Sequence, residues 1–365
     1  MPIAQQFPET LYIDVKIDGN KFPYATSAKI KHSVNSARAL SCSFIGKEPL
    51  EMCRLGAVVE FNWSRGNLNN LQDDKTFIGI IKDIKPGRNL STFTALDYTT
   101  FLAESQYELY KSQDYIGTDL YFAAAQACDY KGIDTSRLIG GSGILITKEM
   151  DLFGWKTRKE FIDACFDEMK RLVNDDRHPK NTIRQWQYAI KNGKIMDFFY
   201  PDPDNTINYP YVTLSVEKGN IIDEDLVSNI DTTRLVNAIT VVSKDDDNTF
   251  FQLEDAGSQD RYGIVSKFLK YPSNNKSELE NVAYRILNRF KEPTVSYSVS
   301  LTNKDNLDLG DLAEIDMPSL PESDIKTVVG YETSLSDSVL TRYAVGQTKV
   351  SFKEYLDLLK EPIDR

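Results

Sequence analysis

Leu55-Gly56-Ala57-Val58-Val59-Glu60-Phe61, followed after a polar loop by Thr76-Phe77-Ile78-Gly79-Ile80-Ile81-Lys82-Asp83-Ile84, has an echo late in the chain. There Leu309-Gly310-Asp311-Leu312-Ala313-Glu314-Ile315 leads through a loop to Thr327-Val328-Val329-Gly330-Tyr331-Glu332-Thr333-Ser334-Leu335. In both copies a Leu-Gly turn launches an alternating strand, and a short hairpin returns through a strand with glycine inside it. A glycine in mid-strand weakens pairing and marks a bulge or a bend where a small sheet curls. Gly56, Gly79, Gly310 and Gly330 are thus read as structural repeat glycines. Two curled sheets in one chain point to a duplicated β-barrel.

Around the first copy, short alternating runs extend from Leu11 to Asp97. Leu11–Ile17 ends at Asp18-Gly19, a favoured two-residue hairpin turn. Ala28–Val34, Leu40–Phe44 and Ser91–Asp97 alternate likewise, as the strands of a small barrel or sandwich do. From Tyr98 the rhythm turns helical. Thr118–Cys128 is rich in alanine and aromatics, and Thr157 with Glu160 forms a capping box ahead of Phe161, Cys165, Met169 and Leu172. A hairpin is expected at Trp186–Ile190 and Ile195–Tyr200, with Lys191-Asn192-Gly193-Lys194 as its turn and Asn-Gly the strong part of the signal.

Strands return with Leu235–Val242, followed by an acidic turn at Asp245-Asp246-Asp247 and a polar stretch through Asp260-Arg261-Tyr262-Gly263. Ser277 and Glu280 suggest a second capping box, before a helix whose apolar side is Leu279, Val282, Ala283, Ile286, Leu287 and Phe290. Pro293 ends it, Thr294–Leu301 alternates, a last strand is expected near Val339–Val345, and Phe352–Leu359 reads as a short closing helix. The fold class is therefore α+β and mainly β. A first barrel domain (residues 1–105), an α+β insert (106–225), a second barrel domain with a packed helix (226–350) and a C-terminal tail (351–365) make up the 365 residues.

A hydrophobic content of 41% is ordinary for a folded protein. The first residues lack the basic and apolar regions of a secretory signal. No apolar run approaches the roughly 20 residues of a membrane helix, so no membrane insertion is expected, and the chain is expected to fold in a cytoplasm. Cys42, Cys53, Cys128 and Cys165 have no Cys-x-x-Cys spacing, which fits buried free thiols better than zinc or disulfides. The only histidines, His32 and His178, give no metal pair. A net charge of −11 argues against nucleic-acid binding as the main activity. Asp245–Asp247 lacks the alternating spacing of a calcium loop and reads as a solvated hairpin tip.

Catalysis finds little footing. There is no dinucleotide or phosphate-binding glycine motif, and Gly140-Gly141-Ser142-Gly143 lacks the spacing of a nucleophile elbow and reads as a mobile loop. With 54 acidic residues, some carboxylate pair is inevitable and carries no information. Trp63, Trp155 and Trp186 sit in separate elements, as core or interface residues do. No catalytic, cofactor or metal residue is assigned, and no enzyme is expected.

Four stretches in order resemble one family. They are Leu55-Gly56 through Leu102, Gly219-Asn220-Ile221-Ile222 through Val241, Asp260-Arg261-Tyr262-Gly263 with the helix Leu279–Phe290, and Leu307–Asp316 with Val328-Val329-Gly330. Their succession, with a helical insert between β-rich ends, is similar to the baseplate hub proteins of long-tailed bacteriophages and related contractile injection machines, the late control protein D-like hubs. That resemblance implies two tail-tube-like barrels per chain and a homotrimer whose six barrels form a pseudo-hexameric ring. Such a ring would join a sixfold tail tube, or distal tube-initiator proteins, to a threefold tail spike. The tape measure protein is a further candidate partner, and DNA would pass through without specific binding, repelled if the acids line the channel. The implied location is the virion tail baseplate, assembled in the host cytoplasm. A tail-associated peptidoglycan hydrolase and a carbohydrate-binding receptor protein are the alternatives.

Overall fold

Asp18 and Gly19 take φ of 49° and 78°, so the chain reverses tightly between β1 (Leu11–Ile17) and β2 (Asn20–Lys21), with the twist that suits a two-residue hairpin. The Asp18 carboxylate accepts the Val58 N–H at 2.9 Å and the Arg54 guanidinium at 2.8 Å, fastening the turn to the first repeat. The structure is a computed structural model. It describes residues 11–46, 48–65, 77–104, 106–107, 115–147, 152, 156–172, 186–191, 193–199, 211–215, 227–233, 235–301, 307–316, 324–336 and 339–346. His178, Trp155 and Phe352–Leu359 lie outside the described residues.

The first β-rich end continues through β3 (Ala25–Ser33), β4 (Ala39–Phe44), α1 (Glu48–Met52), β5 (Val58–Arg65), β6 (Phe77–Lys85) and β7 (Ser91–Asp97). These strands pair antiparallel in the order β3-β4-β7-β6-β5-β1. Alternation decides which side faces inward: Leu40, Cys42 and Phe44 on β4 and Phe93 and Ala95 on β7 are fully buried. They share one core with Val15, Ile30, Phe61 and Ile81, so six strands curl around a single cluster. Phe22 meets Phe44 and Phe93 edge-on inside it.

The middle of the chain holds α2 (Thr99–Glu104), β8 (Gln106–Tyr107), α3 (Leu120–Cys128), β9 (Lys156–Thr157), α4 (Arg158–Leu172), β10 (Gln187–Lys191), β11 (Ile195–Phe199) and β12 (Tyr211–Ser215). The capping box opens α4 as expected: Glu160 N–H donates to Thr157 Oγ1 at 3.1 Å, and Thr157 N–H donates to the Glu160 carboxylate at 2.6 Å. Phe161, Ile162, Cys165, Phe166 and Met169 then face α3 and the β10–β11 hairpin. Lys191 pairs with Ile195 and Gln187 with Phe199, so the hairpin forms where the sequence places it.

The last part runs β13 (Val227–Asp231), β14 (Ala238–Ser243), β15 (Phe250–Glu254), α5 (Ala256–Tyr262), β16 (Ser266–Tyr271), α6 (Lys276–Phe290), β17 (Thr294–Leu301), β18 (Leu312–Asp316), β19 (Asp324–Leu335) and β20 (Val339–Gly346). Several expectations shift here. β14 starts at Ala238, because the Val236 N–H is spent on Phe290 O at 2.8 Å, beneath the end of α6. β14 pairs with β15 and, in parallel, with β16 in a separate three-stranded sheet that α6 covers on one face. The polar stretch after it is a helix, α5, capped by Asp255 and closed by Gly263 at φ 76°. The cap of α6 is Asn275, whose side chain accepts the Ser277 N–H at 3.0 Å, and not Ser277. The acidic triplet is a hairpin tip, with Asp246 accepting the Asn248 N–H and the Thr249 hydroxyl.

The remaining strands pair β13-β17-β20-β19, with β18 bridging β19 and a parallel β12. Tyr297, Val299, Ile315, Val328 and Val345 make their core. The two curled ends are not independent sheets. β19 pairs antiparallel with β3, from Gly330↔Ser33 to Leu335↔Ala28, and so joins thirteen described strands into one sheet. Among the described residues no helix is long and apolar enough to cross a membrane.

Candidate functional site

The two repeats fold the same way, at a register the sequence phrases do not show. Gly56 takes φ 83° and Gly310 φ 89°, left-handed conformations that favour glycine. The Gly56 N–H donates to Ile81 O and the Ile81 N–H to Ala57 O. The Gly310 N–H donates to Val328 O and the Val328 N–H to Asp311 O, the same ladder. The bulge falls at the same step, between Ile81 and Asp83 in one copy and between Val328 and Gly330 in the other. By these bonds Asp83, not Gly79, is the counterpart of Gly330.

The glycines meet different neighbours. A Cβ on Gly79 would lie 2.3 Å from Leu96 O and 2.6 Å from the Phe77 ring, so the strands approach there too closely for any side chain. A Cβ on Gly310 would lie 2.5 Å from the Phe199 ring of β11, and one on Gly330 3.2 Å from His32 O across the seam. Open space surrounds Gly56.

The seam between β3 and β19 is lined by buried polar groups. The His32 imidazole is 98% enclosed, neither ring nitrogen has a hydrogen-bond partner among the described residues, and it stands edge-on to Tyr331 at 5.6 Å. Burial, then the positive charges of Arg38 and Lys191, hold its pKa well below the usual 6.5. The Arg38 guanidinium lies 6.0 Å from the Tyr331 ring and 5.9 Å from that of Phe77. Asp97, also buried, accepts the Arg38 and Thr99 N–H groups at 3.0 Å each. Burial nevertheless pushes its carboxyl up to about 6.

The β10–β11 hairpin wedges against both ends. Asn35, at φ 56°, exchanges backbone and side-chain hydrogen bonds with Tyr188, each 2.9 Å. Gly193 bridges to Phe77. Lys191 sits 3.4 Å from Asp197 and 3.6 Å from Asp308, with its ammonium 4.9 Å above the Phe199 ring. Burial pushes the nearby Asp311 carboxyl up, although it accepts the Asp308 N–H.

These groups build a joint. Among the described residues no three His, Cys, Asp or Glu side chains gather as metal ligands would. The four cysteines are free and buried, and burial raises Cys42 to about 12 and Cys53 to about 11, far from a reactive thiolate. Ser142 is no free nucleophile in a loose loop. Its N–H and hydroxyl and the Gly143 N–H all donate to the Asp119 carboxylate, which also caps α3 through Tyr121 N–H. Trp63 belongs to the first core and Trp186 packs on Tyr121 and Phe166. His32 enters the sequence reading only as a histidine without a metal partner, and Arg38 and Asp97 carry no motif, so nothing local marks the three as a group.

Neither a protein-family profile nor a curated protein matches the sequence. Solved structures do match over nearly the whole chain. A tail protein from Neisseria meningitidis superposes with a TM-score of 0.63 at 12% identity, covering 97% of this chain and 98% of that one. The 43 kDa tail protein of prophage MuSo2 from Shewanella oneidensis gives 0.62 at 12% identity, over 92% and 98%. The prophage tail protein gp18 from Listeria monocytogenes gives 0.51 at 12%, over 95% and 98%. The chain has the fold of these tail proteins.

The glycine geometry sets an order of costs. Gly56→Ala is expected to lose about 1–2 kcal/mol from its φ alone, and Gly79→Ala to reach or pass the upper end of the about 1–3 kcal/mol of an overpacked site. Urea midpoints check this, and equal losses would contradict it. The seam also predicts a pH effect. The folded His32 resists protonation, so stability associated with it is present above pH 6.5 and lost as pH falls below it. Asp97 works oppositely, since its contribution is full below 3.8 and lost as pH rises towards 6. His32→Phe should therefore gain about 1.4 kcal/mol on the wild type for each pH unit below 6.5. A pH-independent difference would show that His32 titrates freely.

Proposed function

We propose that this chain is a non-enzymatic baseplate hub subunit of a phage tail or a related contractile injection apparatus. Three copies, each with tube-like units in residues 1–105 and 226–350 flanking the insert 106–225, would form a pseudo-sixfold ring that joins the tail tube to the central spike. The observation that carries the reading is the repeated turn-and-bulge ladder at Gly56–Ile81 and Gly310–Val328 on one continuous sheet. Two similar units held at a fixed angle are what a threefold ring needs in order to present six similar surfaces to a sixfold tube. The tail-protein fold supports the same reading, and so does a set of buried polar groups spent on a joint rather than aimed at a cleft. Spike and tube proteins are the proposed partners, the tape measure protein a further one, and the virion baseplate the proposed location. DNA would traverse the ring without specific binding. The hydrolase and receptor alternatives draw no support from Trp63, buried in the first core, or from Trp186, half-buried against Tyr121 and Phe166.

Light scattering over a dilution series tests the assembly. A mass three times the 41.5 kDa of one chain is expected, alone or with the spike and tube partners. A monomer that stays monomeric with both partners present would contradict it.

A further inference from the structure

The two repeat turns have one geometry and opposite surroundings. In residues 54–57 the Ala57 N–H donates to Arg54 O at 3.1 Å, and in residues 308–311 the Asp311 N–H donates to Asp308 O at 3.2 Å. With glycine at positive φ in third place, both are type II turns that carry leucine in second place. Leu55 and Leu309 are therefore equivalent residues on equivalent backbone. Leu309 is fully buried, in the core that Ala189 of β10 and Phe199 of β11 join. The Phe199 ring lies against Gly310, and Lys191 of the same hairpin reaches Asp308 at 3.6 Å. The β10–β11 hairpin is the cover of the second turn.

The first turn has no such cover among the described residues. Leu55 is 67% exposed, and no neighbour lies within 4 Å of where a Cβ on Gly56 would stand. Ile45 and Leu90, which follow and precede the last β4–β7 pair, Phe44↔Ser91, are exposed towards the same end of the unit. The β10–β11 hairpin is already spent on the second turn, and charge says what can take its place on the first. Asp308 meets the ammonium of its cover, whereas the matching residue is the cation Arg54. The Arg54 side chain is 76% exposed even though it pairs with Asp18. A cover for the first turn therefore brings an apolar group to Leu55 and a carboxylate to Arg54. A second copy of a chain with net charge −11 has carboxylates in excess.

We propose that the Leu55-Gly56 turn is a contact between copies, in which a neighbouring chain covers the first repeat as the β10–β11 hairpin covers the second from within. One turn of each chain is then closed internally and the other across a subunit boundary. The contact is heterologous, turn against a different surface, as a closed ring requires. It deepens the ring reading and rests on it.

Leu55→Asp in the full-length chain tests it, by light scattering over a dilution series. Because Leu55 is exposed, the urea midpoint should hold. The concentration at which copies separate should rise about tenfold or more, since the new carboxylate repels an acidic neighbour. Leu55→Cys gives a second readout, because the four native thiols are buried. Its reaction with iodoacetamide should be about tenfold slower where copies associate than after dilution to monomer. A Leu55→Asp chain that associates like the wild type would overturn the contact and leave the ring reading standing. Thiol protection that survives dilution would assign the cover to the same chain and overturn it equally. A wild-type chain that is monomeric at every concentration would overturn it too, and the mixture with spike and tube would then decide the ring separately.

Discussion

The antiparallel pairing of β3 with β19 is the constraint on which the architecture depends. Each β-rich end is a curled sheet with its own core, and either could have closed on itself. The edge of β3 instead takes β19, and side chains cross with it. Leu335 and Val339 belong to the first core, although they come from the last strands, and Val34 belongs to the second. Burying a Leu or Val side chain stabilises by about 1.5–3 kcal/mol, so this exchange outweighs the Lys29–Glu332 ion pair, half-exposed at the same seam. The pairing also occupies two edges that would otherwise be open to uncontrolled association. Twelve-residue β19 makes this possible: its first residues pair with β18, its later ones with β3, and the bulge at Val329 lies between.

Buried polarity then fixes the seam in one arrangement. Asp97 gives up hydration and recovers part of that cost from two backbone N–H groups; His32 recovers nothing by hydrogen bonding and stays neutral. A slip of β19 by one residue would turn Tyr331 away from His32 and carry Leu335 out of the first core, because side chains alternate along a strand. The β10–β11 hairpin braces the joint from below, through Asn35 on one side and Lys191, Asp308 and Gly310 on the other.

Much of this was legible residue by residue. Period-two alternation located β1, β4 and β7, where one face is more buried than the other, and β17, which is buried on both faces from Val299 to Leu301. Thr157 and Glu160 announced α4, because the box satisfies two backbone donors with side chains that are local in sequence. α6 was visible from its stripe but not its cap, since Asn275 and Ser277 offer equivalent oxygens two residues apart. Leu235-Val236 continues the apolar run of β14, and only the contact with Phe290 ends the strand there. Aligning Gly79 with Gly330 was natural from the phrases, yet strand repeats tolerate slips of even number, and hydrogen bonds align Asp83 instead. The β3–β19 seam and the Asp119–Ser142 staple join residues far apart in sequence, so nothing local could signal them, and the polar groups at the joint were hidden with them.

Amide hydrogen exchange across the seam tests the account most directly. If the two ends form one continuous sheet, amides of residues 28–33 and 330–335 that pair across it should exchange only by global unfolding, with the same opening free energy as the amides of β4 and β20. Seam amides that exchange at the rate of surface loops, while each core remains protected, would show two separate units merely resting against each other.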